Sequence, residues 1–396
     1  MSQTTTTSPT VASSPVSVAG GKVTRRIAAM RMALRALYAV IKACTRVDTG
    51  KVVFLGRRMN RMPLDFQLII DELRRRDPDV RVETLTMLVK GERGEARRFA
   101  PLLLRSLFHL ATAKVCVLDS YWPAVSLLEH RDELVVYQLW HSLGKIKQSG
   151  KQALGRGQGR SAQLAQAMRM HDGYDYVVAG AKVWNPQYRA AFGVSDDQLL
   201  NIGLPRADYL IQHRDDIAVR IFAAYPELRS KPVVLYAPTF RRGHRATGAL
   251  ELAEQIDTER FHLVIKAHES DTLAMPTGRY FTCPEFSGSD LLTIADHLIT
   301  DYSSIALEAA LIDTRTYYYL YDDAHYLATN GVNIDLDREM PGCVFRDAAA
   351  LASALDGDYP DDVLRAYKQK FLFPDPGHST TDLVDHFVTK GGLCIR

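Results

Sequence analysis

Residues 290–312 read DLLTIADHLITDYSSIALEAALI, and the block Asp301-Tyr302-Ser303-Ser304 at its centre concentrates groups able to do chemistry. The apolar run Leu298-Ile299-Thr300 predicts a short strand, and the alanines and leucines from Ile305 onward predict a helix. A strand that ends in Asp/Ser and restarts as a helix offers unpaired backbone N–H groups and a positive dipole end. The hydroxyls of Ser303 and Ser304 add donors, which makes the turn a candidate anion site. Glu308, one helical turn beyond Ser304, shares its face and could accept two hydrogen bonds from a ribose diol. The bland alternative, that Ser303 caps a helix and Glu308 is solvated, is the more frequent one for an isolated motif.

Other strand ends supply the company that shifts this balance. Thr239, Arg241 and Arg242 follow the predicted strand Val233–Tyr236, and an arginine pair there suits phosphate. Lys266 and His268 close the strand of HLVIKAH, and His141 closes another before a Gly/Lys loop. Taken singly, each histidine is as readily a packing residue as a base or ligand. Together the groups of the second half have the composition of a diphosphate site, without a Walker loop or a carboxylate cluster for a metal. No metal and no cofactor is expected, and the lack of a GxGxxG weakens any NAD reading.

The elements that position these groups alternate between strand and helix. Strands are expected at Val52–Leu55, Val80–Thr86, Val115–Leu118, Leu134–Leu139, Tyr176–Ala179 and Leu200–Gly203. The helices Leu64–Arg76 and Ala96–Ala111 fall between the first three, and KIKQSGKQALGRGQGR reads as a flexible basic segment. Pro226–Pro232 is the best candidate linker. The alternation then restarts with Val233–Tyr236, helix Leu250–Ile256, His262–Lys266, Leu298–Thr300 and Thr316–Leu320. Repeated βα units argue an α/β protein of two Rossmann-like domains facing across a cleft, with ligands outside the carboxyl ends of the strands. The expected division is a disordered tail at 1–21, a basic amphipathic helix at 22–48 and an acceptor-side domain at 49–228. A donor-binding domain at 232–375 and a C-terminal helix at 376–396 complete it.

The helix expected at 22–48 carries Ile27, Met30, Leu34, Leu37, Ile41 and Cys44 as one apolar stripe. Lys22, Arg25, Arg26, Arg31, Arg35, Lys42 and Arg46 surround it. The pattern suits an anionic membrane surface, with Arg31 and Arg35 on head groups, or equally a helix docked on its own domain. Over the 396 residues the net charge is only +3. Five cysteines without CxxC pairing point to a reducing cytoplasm, neither a zinc site nor a disulfide framework. No apolar run reaches the roughly 18 residues of a membrane span, and no signal peptide is expected.

These motifs carry a resemblance. LLTIADHLITDYSSIALEAALID, with YYYLYDDAHY, NGVNIDL and MPG after it, resembles the C-terminal half of the CDP-glycerol glycerophosphotransferase family, which contains the teichoic acid primases and polymerases. VLYAPTFRRG is similar to its phosphate-contacting loop, VIKAH to its Lys-x-His segment, QLWHSLGKIKQSG to its Trp-His loop and IGLPRADYL to its Gly-x-Pro-Arg segment, so the likeness runs from about Leu134 to Gly342. It implies a GT-B-like transferase, peripheral on the inner membrane face, that uses CDP-glycerol or CDP-ribitol and a lipid-linked saccharide or polymer acceptor. It also implies that His141 is the base, and that His268, Ser303, Ser304 and the arginine loop hold the nucleotide diphosphate. Two rivals remain open at this level. One is a sugar-nucleotide glycosyltransferase or epimerase of the same shape. The other is a non-enzymatic basic protein binding membranes or nucleic acid, although no aromatic interleaving or known module supports nucleic acid.

Overall fold

The computed structural model describes residues 17–89, 94–156, 161–239, 247–266 and 280–395, with backbone alone for 17–26 and 247. Eleven strands among them form two sheets in which every strand pair is parallel. The first has the order β2-β1-β3-β4-β5-β6, from β1 (Asp48–Gly56), β2 (Arg81–Thr86), β3 (Ala113–Leu118), β4 (Val135–Gln138), β5 (Tyr176–Ala179) and β6 (Leu199–Asn201). The second has the order β11-β10-β9-β7-β8, from β7 (Val233–Tyr236), β8 (His262–Ile265), β9 (His297–Thr300), β10 (Arg315–Tyr319) and β11 (Val344–Phe345). Val52, Val53, Phe54 and Leu55 are all buried, as are Val115, Cys116, Val117 and Leu118. Such unbroken apolar runs are what a parallel strand covered on both faces requires.

Several contacts return the chain from the second sheet to the first. The Asp361–Phe371 helix accepts a hydrogen bond from Trp184 Nε1 at the Phe371 carbonyl (3.0 Å). Asp208 caps the last helix, Ser379–Thr389, through Ser379 N (3.0 Å) and Thr380 N (2.7 Å). His386 on that helix meets the Tyr137 hydroxyl of β4 at 2.9 Å.

Two expectations change here. The segment from Lys145 to Arg156, read as flexible, is ordered and joined to the second half of the chain. Gln148 N donates to Gly331 O (3.1 Å), Asn333 N to Ile146 O (2.8 Å), and Lys147 forms an antiparallel bridge with Val332. Composition hid this because the partners lie far along the sequence. The opening helix, Ser17–Cys44, docks on its own protein, the second of the two readings above, through a face that takes in only part of the stripe, Leu34 and Ile41 among it. Leu34 and Tyr38 are buried, whereas Met30, Leu37 and Cys44 are exposed. Arg35 pairs with Glu129 at 2.8 Å, and Arg31 is half-buried.

The docking is anchored by Tyr38, whose hydroxyl meets His130 Nδ1 at 2.8 Å while His130 Nε2 lies 3.0 Å from Val125 O. Burial lowers the His130 pKa from its ordinary 6.5 to about 4. The unfolded chain therefore binds the proton more readily, and this contribution to stability is present above pH 6.5 and lost as pH falls toward 4. Between pH 6.5 and 5 the loss should approach roughly 2 kcal/mol. Thermal melts should show a falling midpoint over that interval, and His130→Gln should flatten the fall; an unchanged slope would remove His130 as its source.

Candidate active site

Each sheet reverses its winding at one place, between β1 and β3 in the first and between β7 and β9 in the second. Loops diverge there and leave a crevice at the carboxyl ends of the strands. Each crevice is closed at its base by a buried aspartate. Asp119, just past β3, accepts from Arg57 N (3.3 Å) and from the Ser120 hydroxyl (2.7 Å). Asp301, just past β9, accepts from Thr239 N at 3.0 and 3.1 Å.

His141 follows β4 beside the first crevice. Its Nδ1 faces the Asp119 carbonyl at 3.4 Å, a long contact that selects the tautomer with a proton on Nδ1 and a lone pair on Nε2. Trp140 adopts φ 61°, an outlying conformation for a bulky residue, and stacks on the imidazole with centroids 4.1 Å apart. The Gln138 side chain fixes this turn by accepting from Trp140 N (2.9 Å) and donating to Ser120 O (3.3 Å). Lys145 lies beneath, its Nζ 4.8 Å from the Trp140 ring and 4.7 Å from that of Phe192, and donates to the Ser149 hydroxyl. Burial lowers the Lys145 pKa to about 7. Burial first, then the charges of Arg58, Lys145 and Arg206, hold His141 well below the usual histidine range. Gly144 permits the close passage of this loop: a Cβ there would lie 2.6 Å from Trp184 Nε1 and 2.7 Å from Leu307 Cδ1.

The second crevice collects Thr239, Ser303 and Ser304. Ser303 Oγ lies 3.5 Å from Ile305 N, and the Ser304 hydroxyl bonds to no described group. The helix they precede, Ile305–Leu311, has only seven residues, so its dipole is a minor contributor beside the hydroxyls and backbone N–H groups. Thr239 Oγ1 is 3.5 Å from Lys147 Nζ of the other half. Lys266, at the end of β8, donates to Cys283 O at 3.3 Å. Arg241, Arg242 and His268 lie outside the described residues.

Glu308 differs from the open acceptor expected of it. Its carboxylate is 5% exposed, takes a hydrogen bond from the Ser289 hydroxyl, and lies 3.7 Å from Arg206 Nη1. A ribose diol would have to share it with these partners. Arg206 opens the Pro205–Gln212 helix of the first half and is gripped by Asp65 through its backbone N–H (2.9 Å) and Nε (2.9 Å). The chain Asp65–Arg206–Glu308 thus joins the two crevices.

Sequence reasoning assigned no role to Asp119, Asp301, Lys145, Arg206 or Arg58. Asp119 and Asp301 were visible as polar residues ending strands. Arg58 had no local signal at all, because its importance comes from β1 lying beside β3.

The family model described as CDP-Glycerol:Poly(glycerophosphate) glycerophosphotransferase matches residues 37–388. A teichoic acid ribitol-phosphate primase of Bacillus spizizenii is 30% identical over 380 residues, covering 89% of this chain and 95% of its own. A teichoic acid glycerol-phosphate primase of Bacillus subtilis is 24% identical, covering 72% of this chain and 75% of its own. Among solved structures, the wall teichoic acid polymerase TagF superimposes with a TM-score of 0.72 at 17% identity, over 94% of this chain and 97% of that one, a likeness of fold.

The electrostatics of the first crevice are open to direct measurement. His141 should stay neutral, protonated on Nδ1, at pH 6.5 and below, as read from its imidazole nitrogen shifts by NMR. Arg58→Gln and Lys145→Met each remove a neighbouring positive charge and should raise its titration midpoint. A midpoint near 6.5 in the unaltered protein would show that the ring is more solvated than the structure describes.

Proposed function

This chain belongs to the CDP-glycerol:poly(glycerophosphate) glycerophosphotransferase family, and from that premise we propose that it transfers an alditol phosphate from a CDP-alditol to a hydroxyl of a lipid-linked saccharide or growing polymer, releasing CMP. The observation that carries the reading is the juxtaposition of a neutral histidine at one crevice with a hydroxyl-lined turn at the other, joined by Arg206 and Glu308. Membership makes the protein a phosphotransferase of the CDP-glycerol type and removes the non-catalytic rival. The ribitol-phosphate primase is matched over nearly its whole length. That favours ribitol phosphate and single-unit addition, ahead of the glycerol phosphate that the sequence alone puts first.

In this reading the donor diphosphate lies over Ser303 and Ser304, with Thr239 and Lys266 beside it and Glu308 toward the ribose; Arg241, Arg242 and His268 are proposed as further phosphate contacts from the sequence resemblance alone. An acceptor hydroxyl attacks the β-phosphorus in line, and His141 Nε2 takes its proton, a contribution of roughly 10²–10⁴ in rate. Hydrogen-bond donors aimed at the transferring oxygens supply the electrostatic share.

The acceptor's lipid places the work at a membrane. No helix among the described residues is long and apolar enough to cross one. Docking instead falls to the outward face of the opening helix, where Met32 is 66% and Val40 61% exposed. Leu104 and Phe108 stand exposed on the adjoining Glu95–Thr112 helix, with Arg97, Arg98 and Arg105 around them. Apolar side chains flanked by arginines suit an anionic bilayer.

Purified protein should release CMP from CDP-ribitol faster than from CDP-glycerol when given a soluble acceptor analogue. His141→Ala should abolish turnover while leaving donor affinity within a few-fold. Ser304→Ala should weaken CMP binding about ten-fold or more, the effect of losing a hydrogen bond to a charged group at about 1.5–3 kcal/mol. A collapse of donor affinity in His141→Ala would reassign that residue to binding.

Sedimentation with phosphatidylglycerol vesicles tests the docking face. Met32→Asp with Val40→Asp should release most of the protein and leave transfer to the soluble acceptor intact. Retention of the double variant on vesicles would move the membrane contact to another surface.

A further inference from the structure

Three arginines gather where the first sheet reverses, and two of them are committed. Arg57 donates from Nη1 to Tyr121 O (3.1 Å) and lies over the Phe99 ring at 5.0 Å. Arg206 is held by Asp65 and Glu308. Arg58 is different: no described residue accepts a hydrogen bond from its guanidinium or pairs with it within 4 Å. It nevertheless lies close to the base. Arg57, one residue before it, is bonded through its backbone N–H to the Asp119 carboxylate, and the Asp119 carbonyl in turn faces His141 Nδ1. The charges around it are Arg206, Asp119, Asp65 and Glu308, the last contributed by the other half of the chain.

Arg58 is half-buried, and its guanidinium, with no bond to a described residue, stays open to an incoming anion. The surrounding carboxylates are already engaged: Asp65 with Arg206, Glu308 with Ser289, and Asp119 with Arg57 N and Ser120. A planar fork with free donors is matched to the oxygens of a phosphoryl group. We infer that Arg58 is a catalytic residue that stabilises the β-phosphoryl group while it is in transfer rather than in the bound donor, approaching from the acceptor side while the serine turn holds the donor from the other.

This assignment rests on the phosphotransferase reading above. The acceptor oxygen forms a bond to the β-phosphorus, and the bond from that phosphorus to the oxygen bridging it to the α-phosphorus breaks. The electron pair leaves with CMP and the hydroxyl proton passes to His141 Nε2. As the bridging bond breaks, charge redistributes over the transferring oxygens and the departing CMP, and Arg58 stabilises that change at the transferring group.

The test uses the full chain, CDP-ribitol and CDP-glycerol as donors, and a soluble acceptor analogue. Arg58→Gln should lower kcat about 10²–10³-fold, with CMP and donor dissociation constants and acceptor KM within threefold. Arg58→Lys should retain more activity than Arg58→Gln, and millimolar guanidinium should restore turnover to Arg58→Ala in a saturable way. A purely structural arginine would not show that rescue. A loss confined to acceptor KM would make Arg58 a contact to an anionic acceptor, and a loss of donor affinity would make it a ground-state donor contact. Either result, or wild-type turnover in Arg58→Gln, overturns the assignment, as does absence of rescue in a misfolded variant. Failure of the unaltered protein to release CMP from either donor is a separate result, which sinks the phosphotransferase reading itself.

Discussion

One carboxylate at the reversal of each sheet holds the site together. Parallel strands give no short hairpin to fix their ends, so the loops leaving β1 and β3, or β7 and β9, would otherwise splay apart. Asp119 and Asp301 tie them by accepting main-chain N–H groups from the neighbouring strand's exit. Both are almost wholly buried, at 4% and 1% exposure, which strengthens each bond and penalises its loss. Hydrogen bonds to a charged group are worth about 1.5–3 kcal/mol each, and removing the acceptor strands buried donors as well. Asp119 has a second duty, since its carbonyl orients the histidine. Sheet topology and the tautomer of His141 therefore depend on the same residue.

The second constraint acts between the halves. A reaction that joins groups carried on two sheets requires them to be held within fractions of an ångström. Here the loop carrying His141 is not left to the first sheet alone. Its continuation is hydrogen-bonded to Gly331 and Asn333, and Asn333 Nδ2 also reaches the Lys145 carbonyl at 2.8 Å. Gly331 stands at φ 74°, and a Cβ there would lie 2.6 Å from Gln148 Oε1, so the bridge requires a glycine. Arg206 makes the same connection lower in the cleft by spanning Asp65 and Glu308.

This division explains what could be read from the sequence. The strands were legible because burial on both faces leaves continuous apolar runs such as Val52–Leu55; only β11, two residues long, offered no pattern. The motifs at strand ends were legible because Asp-Tyr-Ser-Ser and Trp-His are rare words. Arg58 and Lys145 were not, since one depends on strand order and the other on an aromatic box assembled from Trp140, Tyr188 and Phe192. The opening helix was legible in part: docking on its own domain is one of the two readings its sequence allows, and Leu34 and Ile41 of the apolar stripe lie on the docked face. The sequence did not show Tyr38, Arg35 and Lys42 meeting Glu129 and His130, because those partners lie far along the chain.

With His141 as the proposed base, the arrangement would also resolve a tension inherent in moving phosphoryl groups with a histidine. Binding a diphosphate calls for positive charge, whereas a general base must arrive unprotonated. Cations beside an imidazole satisfy both demands, because they attract the anion and disfavour imidazolium. Arg58, Lys145 and Arg206 act on His141 in this sense, in addition to its burial. The accompanying cost is a weaker base, since a depressed pKa lowers the driving force for taking a proton. An incoming dianion offsets that cost as it binds, because its charge opposes the arginines' field and raises the affinity of Nε2 for a proton. As the proposed base, His141 would thus gain strength when the donor is in place, which would couple proton transfer to occupancy of the site.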